Sequence, residues 1–160
     1  MTSSTFLQGI MEMYQGEILG EALFDRMLAF YEDPNHNHKI ATMLQLESET
    51  VTRLRPALME LGLDLSEAEK SRTAGIKWAD SLRGLSWNEF MVSLRDALQP
   101  YIDHYSEITA QAPPRFAAIA ESMVLHEKSL KRFAELEIAG DSEHSLDDII
   151  TQLHHPLPKP

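Results

Sequence analysis

The chain has 160 residues, fourteen Lys and Arg against twenty-five Asp and Glu, a formal charge of -11, and no cysteine. That length suits one domain with its own core, over residues 1–153, followed by a short tail at 154–160 that is expected to be disordered. The missing cysteines exclude disulfides, thiolate metal sites and cysteine nucleophiles, and the acidic balance argues against nucleic acid as a partner.

The start, MTSSTFLQGIMEMYQGE, lacks the layout of a signal peptide, and no apolar run approaches the roughly 18 residues of a membrane span. A cytoplasmic protein with no membrane partner is therefore expected. Apolar residues recur at helical spacing from about Ser4 to Tyr31, and EDPNHNH then marks a turn around Pro34. A second helix is predicted from about His38 to Leu61, closed by Gly62 and kinked at Pro56. Residues 63 to 85 form a long connection with room for a short helix near Glu67 to Trp78. Ser86 and Glu89 then form a capping box for a third long helix that ends at QAPP. Pro113 and Pro114 open a fourth long helix, which Gly140 closes, and Leu146 to Leu153 offers another turn or two. Short turns within each pair and a link of over twenty residues between the pairs predict an all-α fold of two antiparallel hairpins joined by a long crossover.

Polar residues interrupt the apolar stripes. Glu17 and Glu21 lie on the first, Glu47 with Thr50 on the second, and His126 with its neighbour Glu127 on the last. The third long helix carries Tyr101, Tyr105 and His104. A buried carboxylate requires a cation, a metal or a full set of hydrogen bonds. Counting back from the first turn puts Glu21 and Glu47 at one height, roughly 20 Å from the tip at about 1.5 Å per residue. The second turn sets His126 opposite Leu98 to Tyr101. The plainer readings are ion pairs of Glu17 or Glu21 with Arg53, Arg55 or Lys39, a buried salt bridge of Glu47 or a hydrogen bond that it accepts from Tyr101 or Tyr105, and a satisfied core histidine at 126. His36, His38, His144, His154 and His155 fall in turns and the tail and read as solvated.

The helix pairing, GE at 20 to 21, LESET at 46 to 50 and LHEKSLKRFAELEIAG at 125 to 140 resemble the ferritin-like, rubrerythrin-related superfamily. The resemblance implies a ferritin-like four-helix bundle. It also implies a carboxylate and histidine metal site, with Glu21 matching the first ligand position and Glu47 the second. The sequence departs from the full pattern: Thr50 stands where a His would follow Glu47, and helix four reads Met123-x-x-His126 or Glu127-x-x-Leu130. A reduced set of Glu21, Glu47 and His126, extended by Glu17 and Glu127, would suit iron, with manganese or zinc as alternatives. Tyr101 and Tyr105 would tune it by hydrogen bonds, and the activity implied is an iron-dependent oxidase or oxygenase. Its small-molecule ligand is not identified. The competing expectations are a metal-free bundle serving as a binding or assembly module, and a cofactor-independent enzyme with His126 as base. Leu19, Leu23, Met27 and Phe30 form a second apolar face on the first helix, which either packs under the crossover or joins a second copy in a homo-oligomer.

Overall fold

Six α-helices and one 3₁₀ turn, with no strand, make up the regular structure of the described residues, 2–160, in a computed structural model of the chain. They are α1 Ser4–Met27, α2 Pro34–Glu60, α3 Glu69–Ser81, α4 Trp87–Thr109, the turn Pro114–Phe116, α5 Ala117–Ala139 and α6 Asp147–Ile150. None of these helices is long and apolar enough to cross a membrane.

Local chemistry sets the boundaries. Asp33 caps α2 by accepting from the backbone N–H of Asn35 at 2.7 Å and of His36 at 3.2 Å, with Pro34 in the first turn. The helix therefore begins four residues before the expected His38, because a first-turn proline starts a helix rather than marking a turn outside it. At α4 the predicted capping box is complete: Ser86 Oγ accepts from Glu89 N–H at 3.2 Å and Glu89 Oε2 accepts from Ser86 N–H at 2.7 Å. Pro56 and Pro100 lie inside α2 and α4 on exposed positions, where the carbonyl left without its helical N–H partner is on the solvent side. Gly140, at φ +85°, supplies the left-handed residue that ends α5.

Side-chain contacts give the directions of packing. Gly9 meets Ile108 and Gly16 meets Tyr105, so α1 and α4 run antiparallel. Lys39 pairs with Glu137 while Thr50 reaches His126, so α2 and α5 also run antiparallel. The crossover helix α3 returns alongside α1 in the same direction, tied by Tyr14 Oη to Leu65 O at 2.8 Å near one end and Arg26 to Asp80 at 3.0 Å near the other. It lies so close that a Cβ at Gly75 would stand 2.2 Å from the Leu19 carbonyl oxygen. The second apolar face of α1 is thus covered within the chain: Leu23 and Met27 are buried in one cluster with Ala79 and Leu82.

The apolar core falls into two clusters. One, near the α1–α2 turn, includes Phe24, Ile40, Met43, Leu46, Leu94 and Phe133. The other, toward the start of α1, includes Phe6, Ile10, Met13, Val51, Leu54 and Met123. Each buried side chain of this size contributes roughly 1.5–3 kcal/mol relative to exposure. Between the clusters lies a polar layer of Glu17, Glu47, Thr50 and His126, all buried. A second polar knot holds the bundle end. Glu137 accepts from Lys39, from Trp87 Nε1 at 2.8 Å and from Ser145 Oγ at 2.6 Å. Residues 154 and 155, expected to begin a disordered tail, instead dock on α2, because their backbone N–H groups donate to Glu49 at 3.0 and 2.8 Å.

Candidate metal centre

Three of the four long helices each present one metal-ligand type to the polar layer. Glu17 comes from α1, Glu47 from α2 and His126 from α5, and α4 adds no ligand. His126 Nε2 is 3.0 Å from Glu17 Oε2 and 3.4 Å from Glu47 Oε1, with all three side chains almost fully buried. Bonds of about 2.1 Å to a common ion would separate neighbouring ligands by about 3.0 Å at right angles and about 3.4 Å at tetrahedral angles.

Two small residues on α1 shape this layer. A Cβ at Gly16 would lie 2.3 Å from the Tyr105 hydroxyl, and one at Gly20 would lie 2.7 Å from the Glu47 carboxyl carbon. The glycines bracket Glu17 by sequence and cut a notch in α1 that seats both groups.

The imidazole is oriented from behind. Thr50 Oγ1 donates its only proton to Leu46 O at 2.8 Å and lies 3.2 Å from His126 Nδ1. It can therefore only accept from that ring nitrogen, which fixes the proton on Nδ1 and leaves the Nε2 position facing the two carboxylates. Glu17 Oε2 lies 3.0 Å from Nε2, and neither atom has a hydrogen-bond partner. Among the described residues the buried side-chain atoms in this condition are Glu17 Oε2, His126 Nε2, Tyr105 Oη, Arg53 Nε and Asn37 Oδ1. The first two belong to the Glu17, Glu47 and His126 group, and the Tyr105 hydroxyl lies at the Gly16 notch.

Burial pushes Glu17 and Glu47 well above the ordinary carboxylate range; His126 opposes this at Glu17 and the neighbouring Glu47 adds to it. Two carboxylates in such contact do not both remain ionised without a compensating charge, which a shared proton, a protonated His126 or a metal ion would supply. Burial also lifts Glu127, to about 8, and raises the Tyr101 and Tyr105 phenols.

The other expected site residues occupy distinct places. Glu21 is not in the layer: it pairs with Arg72 of α3 at 2.7 Å and accepts from Ser48 Oγ at 2.7 Å. Its partner is none of the three basic residues the sequence suggested. His104 pairs with Glu12 at 2.6 Å on the exposed α1–α4 surface, away from the centre. Glu127 and Tyr101 line a cavity of about 30 Å³ whose wall also includes Glu47, Gly16 and Gly20, with Trp78 and leucines such as Leu94 and Leu98. Glu47 thus borders both His126 and this cavity. Tyr105 packs edge-on against Tyr101 with its hydroxyl buried, and neither phenol hydrogen-bonds to Glu47. Thr50, Gly16 and Gly20 contribute to the site without having been expected, and Arg72 holds Glu21 away from it. Thr50 had a signal, since it lies three residues after Glu47 where a ligand was sought.

Compared with family models, with curated proteins and with solved structures, the chain finds no match in any of the three, so the chemistry of the site is argued from its own residues.

Proposed function

We propose that this is a ferritin-like metal-binding protein in which Glu17, Glu47 and His126 hold one iron ion, or manganese or zinc, for oxidase or oxygenase chemistry. The observation that carries the reading is the convergence of a carboxylate oxygen and an imidazole nitrogen, both buried, both without a hydrogen-bond partner, beside a second carboxylate. The two hairpins and their long crossover support the ferritin-like assignment.

A bound iron would supply Lewis-acid and one-electron chemistry at the positions these three ligands leave open. The residues of the chain have separate tasks. Glu17 and Glu47 balance the charge of a divalent ion, and Thr50 holds the His126 ring in the ligating tautomer. The Tyr105 hydroxyl, buried without a partner, offers a donor to a molecule entering the layer. The cavity beside Glu47 admits something about the size of one or two water molecules between mostly apolar walls. Any co-substrate reaching the site by this route is therefore very small.

The test is metal content by mass spectrometry on protein purified without chelators, beside the Glu47→Ala, His126→Ala double variant. About one ion per chain in the native protein and none in the variant is the expected result. Native protein that stays empty after reconstitution with ferrous iron, manganese and zinc overturns the reading. In that case a shared proton or a protonated His126 compensates Glu17 and Glu47, and the alternative of a metal-free binding or assembly module takes its place.

A further inference from the structure

Arg53 lies one turn beyond Thr50 on α2 and is half-buried. Its one polar contact is long, Nη2 to Thr50 Oγ1 at 3.5 Å, and its Nε is buried with no partner. Among the described residues it makes no ion pair. Two carboxylates act on it by charge without pairing with it: Glu17 of the polar layer, and Glu49, whose oxygens are both engaged by the backbone N–H groups of His154 and His155. A guanidinium carries five donors in a planar fork, so nearly all of this one's capacity is unspent.

The residue borders a groove. Gln45, Ser48, Glu49, Thr52, Arg53 and Pro56 of α2 form one side and His154 and His155 the other of an open groove of about 560 Å³, in which Glu49 is a carboxylate on the wall with its oxygens held by the backbone N–H groups of His154 and His155. That volume lies within the range of roughly 300–1,000 Å³ typical of small-molecule sites.

We propose that this groove is a binding site for a small oxyanion ligand, carrying a carboxylate or phosphate group, which Arg53 grips with its guanidinium fork. The two source chemistries share the planar pair of oxygens that the fork matches. A single charge-assisted contact of this kind supports affinity of roughly millimolar. The inference does not depend on the metal reading, since the groove is built from different side chains.

The experiment uses chelator-treated full-length protein, so that a failed metal reading leaves it intact. Sodium phosphate and sodium benzoate are titrated separately at constant ionic strength while the melting temperature is followed, for the native protein, Arg53→Gln and Arg53→Lys. The expected result is a saturable rise with at least one probe, at least tenfold weaker in Arg53→Gln and partly retained in Arg53→Lys. The probe that acts identifies the oxyanion class. No rise with either, or a rise of equal size and midpoint in Arg53→Gln, overturns the proposal as a general salt effect. Should the glutamine variant not fold, line broadening of the benzoate proton signals by native protein, reversed by phosphate and reduced with Arg53→Lys, decides it. Unbroadened signals together with no phosphate response count against it.

Discussion

Single atoms govern the candidate centre. Thr50 has no charge and would not be counted among metal ligands, yet its hydroxyl determines which nitrogen of His126 faces the carboxylates. Thr50→Val keeps the shape and removes the acceptor, so the Nδ1–H is left buried without a partner at a cost of about 1–3 kcal/mol. Metal affinity is expected to fall about 10–100-fold, as for other groups that orient a ligating histidine. Thr50→Ser should restore most of it. Competition titration against a chromophoric chelator measures both; unchanged affinity in Thr50→Val would remove the hydroxyl from the account.

At the scale of helices, packing of α3 on α1 depends on an absent side chain. Gly75→Ala drives a methyl group into the Leu19 carbonyl, and because backbone cannot rotate away as a side chain can, α3 must lift. The expected loss is about 1–3 kcal/mol, read as a lower urea midpoint, whereas the exposed Thr73→Ala should change little. An unaltered midpoint for Gly75→Ala would mean that α3 is not held this closely. The same contact explains what could be read from the sequence and what could not. Apolar spacing, a capping box and terminal glycine gave the long helices, because those signals act within a few residues of the chain. The choice between Glu17 and Glu21 was not local. Residues four apart differ by only about 40° around a helix, so both sit on one stripe. What separates them is Arg72, fifty-one residues away on α3, which draws Glu21 outward, and the Gly16 and Gly20 notch, which fits the layer around Glu17. Glu47, His126 and Glu127 were recognisable because a charged or ionisable group interrupts an otherwise apolar repeat. Pro34 misled for a different reason: the same residue that ends one helix's reach can open the next.

For the whole molecule, buried carboxyls tie stability to pH. Burial raises Glu17, Glu47 and Glu127, the last to about 8. A carboxyl raised in the folded state favours folding while it stays protonated, below its unfolded value of about 4.5, and that advantage disappears as pH climbs through the folded value. Chelator-treated protein should accordingly melt at lower temperature as pH goes from about 5 to about 8, by at most roughly 1.4 kcal/mol for each unit crossed per group. Glu127→Gln should flatten the upper part of the curve. A melting temperature independent of pH over that span would contradict the burial of these acids in protonated form. Metal binding must displace the same protons, so affinity is expected to rise over the same interval, with proton release measurable in weakly buffered solution.

Glu17 and Glu47 come from the first hairpin, α1 and α2, while His126 comes from the second, α4 and α5. Neither half owns the centre. Each hairpin closes over short loops and can form early, whereas uniting them waits on the long crossover and its slower chain closure. An ion that requires all three ligands would thus act late in folding, as a latch on two preformed halves, slowing their separation more than it speeds their meeting.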